Sequence, residues 1–142
     1  MPRIFLSILL VLLTQLPSRA QSETTLVIKG VPADVGLLLI AICSEEANWL
    51  TKTPTIGMDV PVKRNEAGDC VVRINKALPE KVAVAVIHDA NGNRDMDRNL
   101  IGIPQEAYGF SRGVRPRFGP PKFADALTAS GGNIEISVDT LL

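Results

Sequence analysis

Apolar residues recur at every second position in three separate stretches, and that period leaves little choice of secondary structure. Cys70, Val72 and Ile74 alternate with Val71, Arg73 and Asn75. Val82, Val84, Val86 and His88 alternate with Ala83, Ala85 and Ile87, and near the chain end Ile134, Ile136 and Val138 alternate with Glu135, Ser137 and Asp139. Successive side chains of a strand point to opposite faces, so each stretch predicts a strand with one row of side chains in a core. Residues 25–29 (Thr-Leu-Val-Ile-Lys) read as a further strand, stopped by Gly30 and Pro32. The unbroken apolar run over residues 36–43 reads as a central strand covered on both faces, and residues 60–63 as an edge strand. Residues 44–55 are mostly polar around Trp49 and predict at most a helical turn, ended by Pro54. The expected fold class is all-β: an antiparallel β-sandwich of the immunoglobulin or transthyretin kind, with about seven strands and one long loop region.

The first twenty residues follow a different logic. Arg3, an apolar stretch over residues 4–13, and Ser18 and Ala20 ahead of Gln21 have the anatomy of a secretory signal peptide cleaved after Ala20. Thr14, Gln15, Pro17 and Ser18 cut the apolar run short of the roughly 18 residues that a membrane-spanning helix needs. The sequence therefore predicts a signal peptide over 1–20 and a single β-sandwich domain over 21–142. The expected location is the periplasm or the medium, with no transmembrane anchor in the mature chain. Removing residues 1–20 takes away Arg3 and Arg19 and no acid from a chain with fifteen basic and fifteen acidic residues, so the mature domain is slightly acidic. Such a domain has no overall field to attract nucleic acid. An oxidising compartment permits a disulfide, and Cys43 and Cys70 are the two cysteines available for one; a pair of buried thiols is the alternative.

Residues 91–126 have no strand pattern. Loops longer than about 15 residues are commonly functional, which makes this segment the first place to look for a site. Asp89, Asn91, Asn93, Asp95, Asp97 and Asn99 place an oxygen-bearing side chain at every second position. Calcium loops draw side-chain oxygens from their first, third and fifth positions, a backbone carbonyl from the seventh and a further group from the ninth. Asp89, Asn91, Asn93, the carbonyl of Asp95 and Asp97 match that series. Two positions depart from it. Arg94 occupies the sixth, where glycine makes the sharp turn, and Leu100 occupies the twelfth, where a bidentate acid belongs, so Glu106 would have to close the shell from farther along. Turn chemistry alone also explains such Asp and Asn residues, because they hydrogen-bond to their own backbone and Asn91-Gly92 is a strong turn signal.

Other candidates are weaker chemically. His88 is the only histidine, and its neighbour Asp89 points to the opposite face of a strand, so the two do not form a natural base and orienter. Tyr108 and Phe110, followed by Arg112, Arg115 and Arg117, are candidate ligand-binding groups for a saccharide or an anion. Packing over the end of the sandwich is the structural alternative for the two aromatics.

The residues His88-Asp89-Ala90-Asn91-Gly92-Asn93, Asp97, Leu100 to Pro104, Glu106, Tyr108 to Ser111 and the run from Gly119 to Ala126 together resemble the bacterial exported family called domain of unknown function 2141. The likeness covers about residues 25–142. It implies an extracytoplasmic β-sandwich and assigns no activity. The family pattern carries glycine where this chain has Arg94. Three functional readings remain open: a non-catalytic binding or accessory module with a calcium-type cation site in the Asp/Asn loop, an enzyme using His88 and loop carboxylates, and a metal-free carrier or adhesion domain. A cell-envelope protein or saccharide is the expected partner for a module of this kind.

Overall fold

The computed structural model describes residues 23–140. The predicted signal peptide lies outside them. Among the described residues eight strands form: β1 (Thr24–Lys29), β2 (Leu37–Cys43), β3 (Ile56–Pro61), β4 (Cys70–Ile74), β5 (Lys81–Asp89), β6 (Tyr108–Phe110), β7 (Thr128–Ala129) and β8 (Gly132–Ser137). One sheet has the order β4-β1-β8 and the other β3-β2-β5-β6, with β7 paired to the start of β5. The result is the expected all-β sandwich. One pairing is not antiparallel: β1 and β8 run side by side in the same direction, from Thr24 beside Gly132 to Lys29 beside Ser137.

The period-two rows become the core. Leu26 and Ile28 of β1, Val72 and Ile74 of β4, and Ile134 and Ile136 of β8 face Leu38, Ile40 and Ile42 of β2 and Val82, Val84 and Val86 of β5, all of them buried. Each large aliphatic side chain withdrawn from water contributes roughly 1.5–3 kcal/mol, which is what drives the two sheets together. Ala83 and Ala85 on the opposite face of β5 are buried as well, so this strand is covered on both sides.

The two layers approach closely where β6 meets β8. Tyr108 and Asp139 exchange backbone hydrogen bonds of 3.0 and 3.1 Å. At Gly109, between them and the core, a Cβ would stand 2.1 Å from the Ser137 carbonyl oxygen, so only glycine allows the contact.

Three expectations change. The edge strand read at residues 60–63 lies earlier, at Ile56–Pro61, where it pairs with β2. The long unpatterned segment is divided by β6, too short at three residues to show a period, and carries a helical turn, α1 (Phe123–Ala126), before β7. The disulfide does not form. Cys43 closes β2 beside Ala83, whereas Cys70 opens β4 in the other sheet and borders Leu38, near the far end of β2. Both are buried free thiols, and burial pushes both up, away from the reactive thiolate.

Candidate functional site

β5 ends at Asp89, and the chain then leaves the sheet in a loop organised by that one carboxylate. Asp89 is fully buried. Its Oδ1 accepts the backbone N–H of Gly92 at 2.8 Å and of Asn93 at 3.2 Å, and its Oδ2 accepts that of Arg94 at 2.7 Å. An ionised carboxylate taking several N–H donors is among the stronger polar arrangements available to a loop. The strand beside it is fixed by a close approach. At Gly36, just before Leu37 pairs with Asp89, a Cβ would fall 2.0 Å from the Asp89 carbonyl oxygen.

Arg94 adopts φ 61°, the left-handed conformation that glycine takes most readily. The chain thus makes a left-handed turn here without glycine. Two contacts hold Arg94 there: its N–H on Asp89, and its Nε donating to Asp59 Oδ2 of β3 at 2.7 Å.

Beyond this anchor, three of the predicted oxygen-bearing side chains converge. Asn91 donates from Nδ2 to Asp97 Oδ2 at 2.6 Å, and Asn93 donates from Nδ2 to Asp97 Oδ1 at 2.8 Å. Their own Oδ1 atoms accept the N–H of Asn93 and of Asp95, at 3.0 and 2.9 Å. Asp95 is exposed, and its Oδ1 caps the N–H of Met96.

Glu106 does return to the loop from farther along, as a closing acid would have to. Its Oε2 accepts the Asp97 N–H at 3.2 Å. Its residue is 8% exposed, and its Oε1 is buried with no hydrogen-bond partner. Burial pushes the Glu106 carboxyl up, the Asp97 N–H draws it down, the nearby carboxylates of Asp89 and Asp97 raise it further, and the nearby Ala90 N–H lowers it slightly. Among the described residues, no three His, Cys, Asp or Glu side chains stand close enough to hold a metal between them. A cation here would therefore need carboxamide and carbonyl oxygens as well as carboxylates.

His88 faces the core side of β5 and is 3% exposed. Its Nε2 is 2.8 Å from the Val35 carbonyl oxygen, which can only accept, so this nitrogen carries the proton. The ring ties the 35–36 bend to β5, and the backbone N–H of His88 is bonded to Ala107 O.

The aromatic and basic candidates separate. Phe110 is buried and packs against Tyr108, with ring centroids 5.7 Å apart, and against Trp49 at 5.9 Å. Trp49 also meets Phe123 edge-on at 6.1 Å and donates Nε1–H to Pro121 O at 2.8 Å. The tilted rings cover one another, which is packing and not a flat platform. Arg115 reaches the Ser137 carbonyl at 3.3 Å and stands 4.0 Å from Asp139, while Arg112 and Arg117 are exposed. Sequence reasoning did not identify Trp49 as the centre of this cluster or Asp59 as the partner of Arg94. Both depend on contacts between distant parts of the chain, for which one sequence offers no periodic signal.

A half-open groove of about 340 Å³ lies between β3 and β4, lined in part by Leu38, Val60, Cys70 and Val72, with Lys63 as its charged group. It lacks the convergent polar groups that would orient a substrate. No curated protein and no solved structure matches the chain. A family model matches residues 26–137, and the chain therefore belongs to the family described as uncharacterized protein conserved in bacteria (DUF2141).

Proposed function

We propose that this protein is a non-catalytic, exported binding module whose 89–106 loop takes a calcium-type cation. The carrying observation is Glu106 Oε1, a buried carboxylate oxygen without a hydrogen bond of ordinary geometry, on a side chain whose Oε2 accepts the N–H of Asp97, the residue whose carboxylate takes the Asn91 and Asn93 carboxamides. Leaving such an atom unpaired costs roughly 1–3 kcal/mol, and a hard cation is the partner that carboxylate and carboxamide oxygens would share. The backbone supports the reading, since Arg94 adopts the left-handed conformation that glycine takes most readily at this position.

Occupancy requires the carboxamides of Asn91 and Asn93 to turn oxygen, not nitrogen, toward Asp97. The two ends of a carboxamide are nearly the same size, so the rotation has little steric cost. Asn93 N–H would keep an acceptor in Asp89 Oδ1. Asp89 serves this site as the organiser of the backbone, and Asp97, Glu106, Asn91 and Asn93 are the nearer candidate ligands. His88, buried and engaged with Val35, suits a structural tether better than proton transfer.

The test is the melting temperature of residues 21–142, stripped with chelator and titrated separately with calcium and with magnesium. An ion that binds only the folded state adds about 2.7 kcal/mol at a hundred times its Kd. A rise with calcium that Asp97→Asn and Glu106→Gln abolish is expected. A melting temperature indifferent to millimolar calcium would defeat the reading.

A further inference from the structure

The aromatic cluster around Trp49 fixes the two ends of a loop whose middle it does not use. Ser111 is buried at one end and Pro121 at the other, while Arg112, Gly113 and residues 115–120 are all exposed. From Arg112 to Lys122 the chain carries four basic side chains and no acid, although the domain as a whole is slightly acidic. Such a run makes a local positive field, felt by a partner that comes within a Debye length, roughly 8–10 Å at ordinary ionic strength.

Most of this charge is uncommitted. The Arg115 guanidinium donates to Ser137 O at 3.3 Å and stands 4.0 Å from Asp139, which ties the loop to β8. The side chains of Arg112, Arg117 and Lys122 have no hydrogen bond or ion pair with any described residue. Arg112 nevertheless holds a left-handed backbone, φ 63°. Residues other than glycine are rare in that conformation, and they concentrate where a side chain is presented to a ligand. Phe118, next to Arg117, is 92% exposed and meets no other described ring. The N–H groups of Arg117, Phe118 and Gly119 have no partner among the described residues. Pro116 and Pro120 restrict the backbone around them, so less freedom is lost when a ligand binds.

We infer that residues 112–122 form a binding surface for an acidic polysaccharide, a polymer of sugar rings with carboxylates along its length. The surface shares no residue with the cation loop and does not rest on it. Planar guanidiniums match the paired oxygens of a carboxylate, and the Phe118 ring offers an apolar face to the C–H face of a sugar ring. The free N–H groups beside it are donors for hydroxyl oxygens. An exposed loop has no pocket to enclose a small anion, whereas a polymer crosses several cations in turn and adds their individually weak contacts. The same free N–H groups argue against a lipid bilayer, where no water remains to take them.

The test measures binding of residues 21–142, which contain every described strand, to polygalacturonate. Polyglutamate, which carries carboxylates without sugar rings, and phosphatidylglycerol vesicles are the comparison ligands. Every arm contains chelator, so calcium neither crosslinks the polymer nor fills the 89–106 loop. Expected is binding to polygalacturonate that weakens as salt rises, and that falls about tenfold or more in the Arg112→Ala/Arg117→Ala/Lys122→Ala triple variant. Phe118→Ala should weaken binding to polygalacturonate and leave binding to polyglutamate unchanged. None of these side chains touches the rest of the domain, so the melting temperatures of the variants should match the parent's. Absence of binding to polygalacturonate, or equal binding by the triple variant, overturns the inference. Equal affinity for polyglutamate overturns the saccharide, and binding confined to the vesicles assigns the surface to lipid instead.

Discussion

Residues 89–106 and residues 111–127 flank the same short strand, yet they are held by opposite kinds of interaction. The first segment is organised by its own polar side chains: Asp89, Asn91, Asn93, Asp97 and Asn99 bond to backbone or side chains a few residues away. The second is held by distant apolar contacts: Trp49 covers Phe110 and Phe123 and bonds to Pro121, while buried Ser111 accepts the Val84 N–H at 2.9 Å and donates to Ala126 O at 2.5 Å. A locally bonded loop can carry charge, unpaired oxygens and exposed apolar side chains because its shape does not depend on burying them. An aromatic closure has no such freedom, and its positions are committed to packing.

The largest test of this contrast is Trp49→Ala. It removes the ring contacts to Phe110 and Phe123 together with the bond to Pro121, and should cost about 3 kcal/mol in urea denaturation. The calcium response of the other segment should survive it. A loss below about 1 kcal/mol would show that Trp49 is not what closes this region.

An intermediate effect is expected for Glu106→Gln. The buried carboxyl of Glu106 titrates higher in the folded protein than in the unfolded chain. As pH rises through the ordinary carboxylate value the unfolded chain ionises first, so folding becomes progressively less favourable until the raised folded value is passed. Glutamine has no charge to acquire. In chelator the variant should therefore be more stable than the parent at neutral pH, with the gap vanishing below about pH 4, where both forms of the side chain are neutral. Denaturation curves at the two pH values that show the same gap would refute the assignment.

The smallest change belongs to Arg94→Gly. Glycine relieves a left-handed backbone but loses an exposed ion pair to Asp59, two contributions of about 1 kcal/mol or less and of opposite sign. Stability should move by less than about 1 kcal/mol, and calcium affinity should be kept or improved. A large loss of either would mean that the guanidinium, not the turn, organises the loop.

The same contrast explains what the sequence revealed. Rows such as Val82, Val84 and Val86, or Ile134 and Ile136, announced their strands because a strand's period is local. The Asp/Asn spacing announced the loop for the same reason. The left-handed turn at Arg94 was not legible, since a non-glycine residue argues against it and the contacts to Asp89 and Asp59 that hold it come from the fold. The role of Trp49, the separation of Cys43 from Cys70, and β6 were not legible. Each is decided by which distant segments become neighbours, and three residues of β6 are too few to show a period.

The parallel pairing of β1 with β8 has a consequence for the order of events in folding. β1 is the middle strand of its sheet, and one of its two neighbours is β8, the last strand among the described residues. A chain made or threaded from its N-terminus can pair β1 with β4 early, but half of the hydrogen-bonding edge of β1 waits until residues 132–137 arrive. Pairings so far apart in sequence fold slowly, on the order of milliseconds to seconds, and during that interval an unpaired apolar strand is open to other chains. The domain thus cannot complete itself piece by piece: its first strand is safe only once its last is free to reach it.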